Sequence, residues 1–266
     1  MLGKYFLKSL LSNKAIWGWG VGFMAFWLFM GAFVFGFNYT SRIQSLDYAS
    51  VWFSLIGLIS GSIIATSISY SVYYGNASLA YSFRYTKLKP SSYILNLTAS
   101  TAVVASLIGS FIIMFTALMF GYKTGYSVLP VLPLQSIGIF FLSGMFMFLL
   151  SVVLIIFSNN HVGLKNITFV VFIPQILSYL FGFSELGINL PSYVVYASPF
   201  SDIPRLLFMS YYGEASKLNL TNGTGPIMNP YILLLCLALW IGMLFVLSII
   251  LVRRIKPVSI EEGRQV

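Results

Sequence analysis

The chain has 266 residues, 58% of them hydrophobic and only 8% charged, with a mean hydropathy of +0.89 and a formal net charge of +9. A water-soluble domain carries about 25% charged residues, so this chain cannot cover a water-facing surface and reads as an all-α integral membrane protein. Continuous apolar runs such as FIIMFTALMF (111–120) do not alternate in the way that β-barrel strands require.

The first segment, KYFLKSLLSNK (4–14), is amphipathic when wound as a helix. Phe6, Leu7, Leu10 and Leu11 gather on one side and Lys4, Lys8 and Ser12 on the other, which suits a helix lying in the headgroup plane. A plain basic flank is the alternative. The charges beyond it act as punctuation, and each charge-poor interval holds the ~20 apolar residues that cross a bilayer core. Six spans result, at about 16–38, 50–75, 93–120, 132–157, 164–184 and 229–252, with a tail at 253–266. No small-residue cleavage site closes the first run, so it reads as a retained span.

Six spans place both termini on one side. Lys4, Lys8, Lys14, Arg84, Lys87, Lys89, Lys165, Arg253, Arg254, Lys256 and Arg264 lie there, against Arg42, Lys123, Arg205 and Lys217 opposite. The Lys/Arg-rich side is cytoplasmic. The positive charge is therefore a topology and lipid-headgroup signal, and no nucleic-acid partner is expected. Asn-x-Thr sequons at Asn38, Asn219 and Asn222 fall outside, where glycosylation is chemically open; those at Asn96 and Asn166 fall at membrane or cytoplasmic depth.

Within the second span, Gly57, Gly61 and Ala65 recur every four residues, a spacing that admits close helix packing. Ser62, Thr66, Ser69 and Tyr73 form a neighbouring polar stripe that either lines a pathway or bonds back to its own helix. In the fifth span Gln175 follows Pro174, whose ring interrupts the helix, and lines a cavity or satisfies that break. No ionisable side chain falls inside a predicted span, which argues against a proton relay. The lone Cys236 and lone His161 offer neither a metal site nor a catalytic constellation.

Between spans two and three, NASLAYSFRYTKLKPSSYIL (76–95) suits a short helix over 76–88, with Asn76 as its cap and Pro90 opening the next span. Leu79, Ala80 and Phe83 share one face; Tyr81, Arg84, Tyr85 and Leu88 share another. Charge and pattern fit a protein-binding face and a loop that only sets orientation equally well. Between spans five and six, INLPSYVVYASPF (188–200) is too short and proline-broken to span, and can dip into the outer face if protein covers its backbone. Asp202 can cap a turn containing Pro204 and pair with Arg205; an exposed loop with a weak salt bridge is the alternative.

The order and spacing of these features, above all FRYTKLKPSSYIL (83–95) and LPSYVVYASPFSDIPRLL (190–207), resemble the ABC-2 type permease subunits of ATP-binding cassette transporters. That family carries an N-terminal interface helix, six spans, a cytoplasmic coupling helix between spans two and three, and a re-entrant outer hairpin between spans five and six. Ser198-Pro199 stands here where many members have Asn-Pro. The resemblance implies that Tyr81, Arg84, Tyr85, Lys87 and Leu88 contact an ATPase subunit, and that Pro199, Asp202 and Arg205 belong to an outer gate. It also implies a second permease chain, identical or not, and a place in the cytoplasmic membrane. Export of an amphipathic, lipid-linked, peptide or glycan cargo is then expected. The chain has no G-x-x-x-x-G-K-[ST] phosphate loop, so ATP and Mg²⁺ would be held by the separate ATPase and this chain needs no cofactor. The competing readings are a channel or scaffold of a secretion or DNA-transfer machine, and a non-transporting membrane anchor.

Overall fold

The computed structural model describes residues 2–36, 39, 41–86, 88–161, 167–184, 190–220 and 224–253, with the backbone alone at 2, 71, 73–78, 80–81, 160–161 and 167–168. The described chain is helical, with one isolated β-bridge between Lys217 and Ile227. Five helical segments are long and apolar enough to cross a membrane: Lys14–Val34, Arg42–Tyr70, Pro90–Thr124, Pro133–Asn159 and Pro230–Arg253. The protein is a multi-pass all-α membrane protein.

Helix α1 (Leu2–Leu11) carries the expected amphipathic pattern, but its apolar face is covered by protein. Leu10 is buried, Phe6 meets Tyr93 edge-on at 5.5 Å, and the Ser100 hydroxyl donates to the Gly3 carbonyl at 3.2 Å. Tyr93 also meets Phe83 at 5.7 Å, so one aromatic cluster joins α1 to both sides of the following corner.

The first long segment consists of α2 (Lys14–Trp17) and α3 (Met24–Phe29), each followed by a π-helical stretch, Gly18–Phe23 and Met30–Val34. A π turn takes its carbonyls out of ordinary register, and both stretches offer one to α4 (Arg42–Tyr85). Ser60 donates to the Gly20 carbonyl at 3.2 Å and Tyr48 to the Gly31 carbonyl at 3.0 Å. At Gly31 a Cβ would stand 2.5 Å from the Trp52 ring, so only glycine permits this approach.

Helix α4 is unbroken over 44 residues. The separate short helix expected to start at Asn76 is corrected: Gly75 and Asn76 do not interrupt α4, because no proline or unpaired turn stops the helical bonding there. It ends where Thr86 turns back on Ser82 and Pro90 holds Lys89 in an extended conformation. Pro90 opens α5 (Pro90–Thr124), as expected of proline in a first turn.

Helix α5 packs antiparallel on α6 (Pro133–His161) through reciprocal glycines. A Cβ at Gly109 would lie 2.4 Å from the Phe140 ring, and one at Gly144 would lie 2.5 Å from the Ala105 Cβ and 3.3 Å from the Ala102 Cα. The segment expected as the fifth span, 164–184, holds α7 (Ile167–Ser184), whose apolar described part, Phe169–Ser184, falls short of the length of the five segments above. Outward residues of α5, α7 and α10 (Pro230–Arg253), such as Leu118, Leu180 and Leu239, form an exposed apolar girdle suited to lipid.

At the end of the bundle where α5 gives way to α6, the Tyr211 hydroxyl donates to the Val128 carbonyl at 2.7 Å, and Val131 and Leu132 donate their backbone N–H to Tyr211 and Ser210. Tyr211→Phe leaves the Val128 carbonyl without this donor and is expected to cost about 1 kcal/mol. A thermal unfolding scan in detergent should show the midpoint a few degrees lower; an unchanged midpoint would remove this bond from the account.

Candidate functional site

Two regions carry the chemistry. The first is the helix pair α8 (Ser192–Ala197) and α9 (Pro199–Tyr212), separated by the extended Ser198. Every residue of α9 from Pro199 to Tyr211 is buried, so this short helix is enclosed on all sides. Phe200 stacks edge-on against Phe146 at 5.4 Å, 13 residues along α6 from Pro133 and so about 20 Å from that end. The Trp240 indole donates to the Ala197 carbonyl at 3.0 Å, at an exposed position ten residues along α10 from Pro230 and so about 15 Å from its start. The α8–α9 junction thus lies part-way along α6 and α10, and α9 runs from it toward the end that carries Val128.

Arg205 is 1% exposed and Asp202 0%, so the reading of an exposed salt bridge is excluded. Arg205 donates through Nη1 to the Ser201 carbonyl at 2.9 Å and through Nη2 to the Leu218 carbonyl. Leu218 belongs to a small hairpin closed by Leu218 N to Pro226 O and by Met228 N to Ser216 O. Asp202 is not a helix cap, since α9 opens three residues earlier at Pro199; it sits instead in the first turn, where a carboxylate meets the positive end of the helix dipole. Asn219 is only 8% exposed, which closes that sequon in the folded chain; Asn38 and Asn222 lie outside the described residues.

The second region is a cavity of about 590 Å³ at the opposite end. Its wall takes Ile63, Thr66, Ser67 and Tyr70 from α4, a run at helical spacing. Phe172 and Gln175 enter from α7, and Asn13, Ala15 and Trp19 from the turn into α2 and the π stretch after it. Thr66 donates to the Ser62 carbonyl at 3.0 Å and reaches the Val171 carbonyl at 3.5 Å, one turn before Pro174, through which α7 runs without interruption. Ser67 donates to the Ile63 carbonyl at 3.1 Å. Gln175 hydrogen-bonds to Tyr179 on the next turn, and Ser178 bonds back to the Pro174 carbonyl at 2.9 Å.

Of the expected polar stripe Thr66 reaches this cavity, where it meets Gln175, the residue singled out in the expected fifth span. Ser62 and Ser69 are buried elsewhere and bond back to Ile59 and Ala65 at 2.7 Å each, and the Tyr73 side chain lies outside the described residues. The open face is rotated by roughly one residue step from the expected one, which brings in Ser67 and Tyr70. Asn13 caps α2 by accepting from Ala15 N at 3.0 Å, a role visible in its position before a helix.

Gly57 and Gly61 receive neighbours within the chain: a Cβ at Gly57 would meet Leu207 at 2.6 Å, and one at Gly61 would meet the Ser143 hydroxyl at 2.9 Å. Ala65 is buried in the same core. At the corner after α4, Arg84 is exposed and Tyr85 is 79% exposed. The expectation that Leu88 shares their face is corrected, because α4 stops at Tyr85; Leu88 packs partly buried against the core, with its N–H donating to the Thr86 hydroxyl at 3.2 Å. The Tyr81 side chain, Lys87 and the tail 254–266 lie outside the described residues. No protein-family model matches the chain, and no curated protein matches it.

Proposed function

We propose that the chain is the membrane-spanning permease subunit of an ATP-driven transporter of the ABC-2 type, with ATP hydrolysed by a separate subunit. The observation that carries this reading is the length of α4. Its 44 residues extend about 66 Å, against a hydrocarbon core of about 30 Å. The part past Tyr70 is an arm, held to the bundle by Leu79 and Phe83, with Arg84 and Tyr85 exposed at its tip. Such an arm connects a cytoplasmic docking surface directly to the wall of the cavity at Thr66 and Tyr70.

In this reading α7 is a sixth span, its 18 residues covering about 27 Å. Both termini are cytoplasmic by the excess of Lys and Arg on their side, and the protein lies in the cytoplasmic membrane. The pair α8–α9 re-enters the outer leaflet and forms the outer gate, with Pro199 at its turn and Asp202 and Arg205 inside it. Protein on every side of α9 supports this, since irregular backbone at membrane depth needs such cover. A second permease chain completes the pathway, and closure of the ATPase pair shifts it between inward- and outward-facing populations. Export of an amphipathic cargo is the direction favoured.

The test is co-purification from the native membrane. Wild type is expected to bring down a phosphate-loop ATPase, and Arg84→Glu with Tyr85→Ala to lose most of it while keeping its melting temperature. A well-folded wild type that yields no ATPase would sink the transporter reading in favour of a channel or anchor.

A further inference from the structure

The cavity between α2, α4 and α7 has a neutral polar wall whose hydroxyl and amide groups are in part already committed: Gln175 bonds to Tyr179, and Thr66, Ser67 and Asn13 bond to backbone. Thr66 and Ser67 spend their single protons on the carbonyls of Ser62 and Ile63 and turn only acceptor lone pairs to an occupant. Asn13 spends its oxygen on the cap of α2, leaving its amide N–H₂. Among the described residues no charged side chain belongs to the wall, and Lys14, the neighbour of Asn13, is exposed. A carboxylate or phosphate here would meet the neutral amides of Asn13 and Gln175 but no cation among the described wall residues, and a charge left unpaired in a low-dielectric setting is costly.

The apolar remainder is aromatic and opens sideways. Trp19 is 58% exposed and Phe172 is 38% exposed, although both line the cavity. Phe172 also stands in the outward row Phe169, Phe172, Ile176 and Leu180 of α7, the face suited to lipid. The mouth therefore lies between the start of the first long segment and α7, at the level of the hydrocarbon. The volume falls within the ~300–1,000 Å³ typical of small-ligand sites.

We propose that this cavity binds an uncharged amphiphile bearing hydroxyl or amide donors, which enters laterally from the bilayer between Trp19 and Phe172. Its N–H or O–H groups are received by Thr66 and Ser67, its carbonyl by Asn13, and its chain by Ile63, Trp19 and Phe172. As the class of cargo, this rests on the permease reading; as a binding site it stands apart from it.

The probe is a diazirine-bearing monoacylglycerol, photo-crosslinked to the full chain in lipid nanodiscs, with the matching diazirine fatty acid as the anionic comparison. Peptide mapping should place adducts on the segments containing Trp19 and Phe172, with labelling about tenfold weaker for the fatty acid. Excess unlabelled monoacylglycerol should remove the adducts, and Ser67→Trp, which fills the cavity, should do the same. Equal labelling by the fatty acid, no competition in wild type, or adducts confined to the outward faces of α5 and α10 would overturn the site. A cross-link to a second copy through Phe172 in place of lipid would overturn lateral entry. Labelling without a co-purified ATPase defeats the transporter reading but not the site; an ATPase without labelling does the reverse.

Discussion

Arg205→Met is expected to produce the largest loss of stability of any single side-chain truncation in the chain. Arg205 is one of the largest fully buried side chains and its guanidinium ties two elements together, α9 through Ser201 and the 216–228 hairpin through Leu218. A hydrogen bond from a charged group contributes about 1.5–3 kcal/mol, so losing both costs about 3–6 kcal/mol. That is a large share of the ~5–15 kcal/mol that holds a typical fold. Asp202, fully buried on the same helix, would also keep its carboxylate in a region that has lost a cation. Arg205→Lys restores the charge but not the fork that reaches two carbonyls at once, and should recover less than half of the loss. The measurement is thermal unfolding in detergent, paired with limited proteolysis between Glu214 and Met228. A methionine variant with the wild-type midpoint and no new cleavage would show that Arg205 does not hold the hairpin.

The second large effect is expected at the α5–α6 seam. Gly109→Leu must displace Phe140 at its Cβ and ring, where no flexible chain end can yield. Gly144→Leu meets the backbone of Ala102 as well as the Cβ of Ala105, so the helices themselves must part. Overpacking a dense interior usually costs about 1–3 kcal/mol, and these two sites should reach or exceed the upper end. Gly138→Leu, on the same α6 but with open space around its Cβ, is the control. The expected readout is a sharp fall in monodisperse protein on size exclusion for the two seam variants and normal recovery for the control. Equal recovery of all three would mean that the seam is looser than the distances imply.

The seam was only partly legible in advance. Gly144 has Phe140 and Phe148 four positions away on either side and gives no signal, whereas Gly109 follows Ala105 by four residues, the same small-residue spacing as Gly57, Gly61 and Ala65, and went unread. The long apolar segments were legible because charge is excluded from hydrocarbon and marks each interval. Proline gave the start of α5 and the break at α8–α9, since its missing N–H and fixed φ act locally. The continuity of α4 past Gly75 was hidden, because a Gly-Asn pair suits both a cap and an uninterrupted helix, and tertiary packing by Leu79 and Phe83 decided between them. The cavity was half visible. A hydroxyl stripe gives the helix but not which of two adjacent faces is open, and that depends on where Trp19 and Phe172 stand. The paired π turns that receive Ser60 and Tyr48 leave no local signature beyond the glycine run GWGVGF (18–23).

Helix α9 has a consequence for how the protein is made. Fourteen residues are too few to be selected as a span by the machinery that inserts helices into lipid, and its neighbours α4, α6, α7 and α10 all press on it. Three of these precede it in the chain and one follows. The helix therefore cannot settle as it emerges; it must wait near the membrane face until α10 has been synthesised and closes the last side. Biogenesis then ends with a docking event, and a ribosome-bound chain that stops before Pro230 would hold α4, α6 and α7 around an unfilled slot.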